Sequence, residues 1–138
     1  MAKIVAIDYG GKRCGIAVTD PLQIIASGLT TVDTSKLMEF IYNFIKREGL
    51  DTLVIGQPMR LNNAPSAIET EILKFIEKLK LKLPEVTIVR IDERFTSKLA
   101  MDALIRGGAK KKDRKNKKLI DQVSATMILQ SYLEQKGA

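Results

Sequence analysis

No stretch narrows the folds open to this chain more than Ile4 to Asp20, which reads I-V-A-I-D-Y-G-G-K-R-C-G-I-A-V-T-D. Ile4 to Ile7 is apolar on both faces, as suits a strand buried in the middle of a sheet. Gly10 and Gly11 give the backbone freedom of a tight hairpin, and Cys14 to Thr19 reads as the returning strand. The first strand ends in a carboxylate, Asp8, with Lys12 and Arg13 in the turn beyond it. An acid at the tip of a central strand beside a basic glycine turn suits phosphate or metal chemistry. A plainer role also fits, because an Asp leading into glycines can close a turn through its own side chain. Partner carboxylates from elsewhere in the chain decide between the two.

Downstream, Ile24 to Val32 reads as the third strand of a meander. Asp33 or Ser35 is placed to cap a helix that carries Leu37, Ile41, Phe44 and Ile45 on one face and ends at Gly49. Thr52 to Ile55 predicts a short buried strand running into Gly56-Gln57-Pro58. After a polar loop, Ser66 and Glu69 fit a capping box for a helix stopped by Pro84, with Ile72, Phe75, Ile76 and Leu79 on one face. Val86 to Ile91 reads as a further strand ending in Asp92, Glu93 and Arg94. Thr96 or Ser97 opens a helix to about Arg106, and Leu119 to about Glu134 reads as a closing helix. Helical crossovers make the strands at Thr52 and Val86 parallel to the first. Asp8, Gln57 and Glu93 then share the C-terminal edge of one sheet, where open α/β sheets bind ligands. With 138 residues and no internal repeat or linker, one domain is expected.

Composition removes whole classes of chemistry. The chain has no histidine and one cysteine, Cys14. Zinc sites of cysteine and histidine, Ser-His-Asp and Cys-His machinery are therefore excluded. A single cysteine forms no internal disulfide, which suits a reducing cytoplasm. No apolar run approaches the roughly 20 residues of a membrane span. Hydrolysis here has to use carboxylates, lysine, or a hard divalent cation such as Mg²⁺ or Mn²⁺.

The closing helix brings a further acid, in K-K-L-I-D-Q-V-S-A. Asp121 lies one turn into it, with Ser124 and Ala125 on the same side, small enough for close approach to the sheet edge. Alone, Asp121 could be a solvated first-turn acid favoured by the helix dipole. Asp8, Glu93 and Asp121 in one cleft would repel unless a divalent cation held them. With two Mg²⁺ or Mn²⁺ ions such a trio activates water and stabilises the leaving oxygen of a phosphodiester. Asp92 is the weaker candidate, since strand alternation turns it away from Glu93.

The net charge of +7 has a location. Of 23 basic and 16 acidic residues, eight basic residues and one acid lie between Arg106 and Lys118, which leaves 15 of each elsewhere. Lys110, Lys111, Lys112, Arg114, Lys115, Lys117 and Lys118 belong to this segment, which contains no aromatic residue. Such a run reads as a grip on a nucleic-acid backbone, with Lys12, Arg13 and Arg94 as further contacts, or as a solvated loop.

D-Y-G-G-K-R-C-G-I-A at Asp8, G-Q-P at Gly56, I-D-E-R-F-T-S at Ile91 and I-D-Q-V-S-A at Ile120 resemble the YqgF family in order along nearly the whole chain. That family is described as a pre-16S ribosomal RNA nuclease, or as Holliday junction resolvase-like. The resemblance implies a ribonuclease H-like fold, with five strands in the order 3-2-1-4-5 flanked by helices. It implies trimming of the 5′ end of pre-16S rRNA, with catalytic and metal-binding acids on Asp8, Glu93 and Asp121. One departure is visible. Family members resemble G-L-P followed by D-G, whereas here Gly56-Gln57-Pro58 leads to Asn62-Asn63, without that acid. Three other readings remain: a resolvase acting on branched DNA, a ribosome-assembly factor that binds RNA without cutting it, and half of an actin-like ATPase, for which the chain is short.

Overall fold

The computed structural model describes residues 3–20, 22–58, 67–92 and 117–137. Five strands form one sheet: β1 (Lys3–Asp8), β2 (Arg13–Thr19), β3 (Ala26–Asp33), β4 (Leu50–Gln57) and β5 (Thr87–Asp92). Their order is β3-β2-β1-β4-β5, with β1–β2 and β2–β3 antiparallel and β1–β4 and β4–β5 parallel. This is the ribonuclease H-like order expected. A single turn of 3-10 helix, Thr34–Lys36, leads into α1 (Leu37–Glu48), while α2 (Glu69–Lys82) joins β4 to β5 and α3 (Lys117–Gly137) closes the described chain.

Alternation along β1 sorts its side chains between two cores. Val5 and Ile7 pack with Cys14, Ile16, Leu53 and Ile55 beneath α1 and α2. Ile4 and Ala6 pack with Ala17, Val54 and Ile91 beneath Ala125, Ile128 and Leu129 of α3. Apolar burial on both faces explains why the run Ile4–Ile7 carries no polar residue. The same alternation turns Asp8 towards the α3 side.

Helix α3 lies across the face of the sheet, over β2, β3 and β1, where the sequence suggested an approach to its edge. Gly15 permits this. A Cβ there would collide with the backbone carbonyl of Asp121, so the helix backbone rests directly on the strand. Ala125 and Ser124 are buried in this contact, and among the described residues the Ser124 hydroxyl has no hydrogen-bond partner.

Several boundaries move for physical reasons. β3 begins at Ala26 and not Ile24, because the Asp20 carboxylate accepts from the amides of Leu22, Ile24 and Ile25 at 3.1, 2.9 and 2.7 Å. Those amides are therefore held in a turn. Neither Asp33 nor Ser35 caps α1, which the 3-10 turn introduces instead. Gly49 does end α1, at φ 78°. Ser66 lies outside the described residues. Glu69 takes Arg90 in a two-pronged ion pair at 2.7 and 3.1 Å. Arg90 also donates to the carbonyls of Ile55 and Gly56, tying the end of β4 to β5 and α2.

Candidate active site

The cleft is built at the tip of the β1–β2 hairpin. Asp8 pairs across the ladder with Gly15, the residue on which Asp121 of α3 rests. Two carboxylates thus come together from elements more than 100 positions apart in sequence. A recess of about 380 Å³ opens there, lined by Gly10, Gly11, Lys12, Arg13 and Asp121.

The hairpin turn itself is pinned from outside. The Thr34 hydroxyl donates to the Gly10 carbonyl at 2.7 Å, and the Thr34 amide donates to the Lys12 carbonyl at 3.0 Å. The Cys14 thiol lies 3.4 Å from the same hydroxyl, on the α1 and α2 side of the sheet. Burial pushes its pKa up, which fits the packing role expected of it.

Electrostatics single out Asp8. Its pKa is raised to about 7, first by burial and then by the Asp121 charge beside it. This carboxyl therefore keeps its proton to far higher pH than an ordinary Asp, and an incoming cation would displace that proton. Asp121 is held by Arg13, whose Nε donates to Oδ2 at 2.8 Å. Arg13, read from sequence as a nucleic-acid contact, thus has an acid to orient. Lys12 is exposed at the mouth of the recess.

Glu93, Arg94, Lys110, Lys111, Lys112, Arg114 and Lys115 lie outside the described residues. Among the described residues no three acids or thiols are grouped tightly enough to hold a metal ion. Asp92 is exposed and falls on the same side of the sheet as Ile88 and Arg90, away from Asp8. Lys117 opens α3. The Lys118 side chain is exposed while its carbonyl accepts from the Thr31 hydroxyl at 2.9 Å, fastening the start of α3 to β3.

Two residues that shape the cleft were not singled out from sequence. Gly15 was legible in principle, since a glycine inside a strand marks a close backbone approach. Thr34 left no such mark, because its two bonds reach back 22 and 24 positions to the hairpin.

Comparison with known proteins adds an independent line. Residues 2–135 match the family model RuvX, described as Holliday junction resolvase. A protein of Phocaeicola vulgatus is 52% identical over 136 residues, covering 99% of this chain and 98% of its own. One from Bacteroides fragilis is 53% identical, covering 99% of both chains. A third, from Christiangramia forsetii, is 49% identical over 133 residues, with 96% and 98% covered. All three carry the name "Putative pre-16S rRNA nuclease".

Proposed function

The chain belongs to the RuvX family of Holliday junction resolvase-like proteins, and from that premise we propose that it hydrolyses phosphodiester bonds at the 5′ end of pre-16S rRNA. The observation that carries the reading is Asp8, a half-buried carboxyl at a strand tip beside a second carboxylate. A fold gains no stability from crowding Asp8 against Asp121, and Arg13 balances only one of the two charges, which favours a further cation there.

An oxygen-only donor set suits a hard divalent cation, Mg²⁺ or Mn²⁺, better than a softer metal. Asp8 and Asp121, with Glu93 from beyond the described residues, would hold it. When bound, such a cation supplies an activated water and charge for the leaving oxygen. The protein's own groups prepare the site. Arg13 fixes the Asp121 carboxylate, leaving its other oxygen for the cleft. The Thr34 bonds to Gly10 and Lys12 hold the glycine turn open beside it. Lys12 stands where it can take a phosphate, and the basic segment before α3 would gather the RNA backbone. Work on a ribosomal precursor would place the protein in the cytoplasm. Among the described residues no helix is long and apolar enough to cross a membrane.

The test is to incubate the protein with 5′-extended pre-16S rRNA fragments and, separately, with a four-way DNA junction, with and without Mg²⁺ or Mn²⁺. Metal-dependent cuts mapping to the mature 5′ end are expected. Cleavage of the junction alone would favour the resolvase reading, and binding without cleavage by either metal would favour an assembly factor.

A further inference from the structure

On the opposite side of the hairpin tip, two adjoining recesses of about 480 and 600 Å³ form one groove between α1 and α2. They share Ser35, Met38 and Lys82. At its inner end the groove is lined by Tyr9 and Gly11, and Gly11 also lines the Asp121 recess. The two depressions therefore meet at Gly11 of the hairpin turn.

The walls differ in chemistry. Lys74, Lys78 and Lys82 stand at successive turns along α2, all exposed, and among the described residues none has an ion-pair partner. Four residues of helix advance about 6 Å, so the ladder repeats at a step suited to successive phosphates of a stretched strand. Aromatic rings accompany it. Tyr9 and Phe75 lie 5.6 Å apart at the inner end, and Tyr42 of α1 is 46% exposed at the outer end. Glu71 and Glu39 are the acids on the lining. The three lysines lie on the α2 wall, so the groove lining is basic by one charge over its two acids.

We propose that this groove holds a single-stranded RNA segment whose neighbouring phosphodiester occupies the Asp8–Asp121 cleft. Lysines act there as point charges that follow the backbone without reading sequence. Tyr42 has Lys46 over its ring at 4.4 Å, so a base stacks on its other face or displaces that lysine, while Tyr9 and Phe75 pack on each other and floor the inner end. A duplex keeps its bases stacked inside itself, so stacking on these rings favours a single strand. The proposal rests on the nuclease reading for what lies in the cleft, but its own test is binding.

The experiment measures affinity for single-stranded RNA oligonucleotides of increasing length, and for a blunt RNA duplex, across a salt series. Wild type is compared with the triple variant Lys74→Gln, Lys78→Gln, Lys82→Gln and with Tyr42→Ala. All four lie on exposed helix surface, and equal melting temperatures verify the folds. Wild-type affinity should rise with oligonucleotide length. The triple variant should lose that rise, and its slope of log K against log salt should flatten by about 2, at roughly 0.7 per phosphate contact. Tyr42→Ala should weaken the long single strand and leave the duplex unaffected. An unchanged length dependence and salt slope in the triple variant would overturn the groove, as would an equal loss on the blunt duplex. If wild type cuts no RNA while binding still depends on the ladder, the nuclease reading fails and the groove stands. If it cuts and the ladder has no effect, the reverse holds.

Discussion

Asp8 is the residue at which sequence, burial and charge meet. Its pKa, raised to about 7, gives stability a direction in pH. The unfolded chain releases this proton near pH 4 and the folded chain only near 7, so between those values the folded state binds more protons. Without metal, stability should fall as pH rises through that window and level off above it. Asp8→Asn should flatten the fall, as read from melting temperatures between pH 4 and 8, and an identical profile in the variant would contradict the assignment. Arg13 acts through Asp121. Arg13→Gln should lower metal affinity or cleavage by about 10–100-fold, as loss of an outer partner of a ligand commonly does, with little change in melting temperature because the pair is partly exposed. Calorimetric titration with Mn²⁺ separates this from a variant that simply melts.

At the scale of elements, the contact of α3 with β2 sets the distance between the two carboxylates. Gly15→Ala would press a methyl against the Asp121 carbonyl and should cost about 1–3 kcal/mol in denaturant unfolding. No cost would mean that α3 sits elsewhere. By contrast, Ser124→Ala removes a buried hydroxyl that has no partner among the described residues and should be neutral or stabilising, by up to about 1 kcal/mol. On the other side of the sheet, Arg90→Ala should cost about 3 kcal/mol or more, since it leaves Glu69 buried and unpaired. These contacts also show what could be read in advance. The strands, their order and the position of Asp8 follow from local runs, because a centrally buried strand admits little but apolar residues and a terminal acid stands out. The Gly15 seat was half visible as a glycine within a strand. The Glu69–Arg90 pair was not, since Glu69 fits a helix cap equally well by spacing and only the fold brings Arg90 21 positions back to it. For the same reason Asp20 concealed the start of β3. Its carboxylate competes with the ladder for amides that hydrophobic pattern alone assigns to a strand.

Over the whole molecule, charge divides along the chain: the excess of basic residues falls between Arg106 and Lys118, while Asp8 and Asp121 meet at the hairpin tip. The acids oppose one another inside the fold, so Mg²⁺ or Mn²⁺ should bind the folded state preferentially and raise its melting temperature. Near pH 7 binding should also expel a proton from Asp8, seen as a dependence of calorimetric heat on the buffer's ionisation enthalpy. The most direct measurement is the rate at which one 5′-extended pre-16S rRNA fragment is cut by wild type, Asp8→Asn and Asp121→Asn at saturating Mn²⁺. Both variants should remain folded and lose at least about 100-fold in rate, more than loss of an outer partner ordinarily costs. Cleavage by a folded Asp8→Asn variant at the wild-type rate would contradict the carboxylate site at its centre.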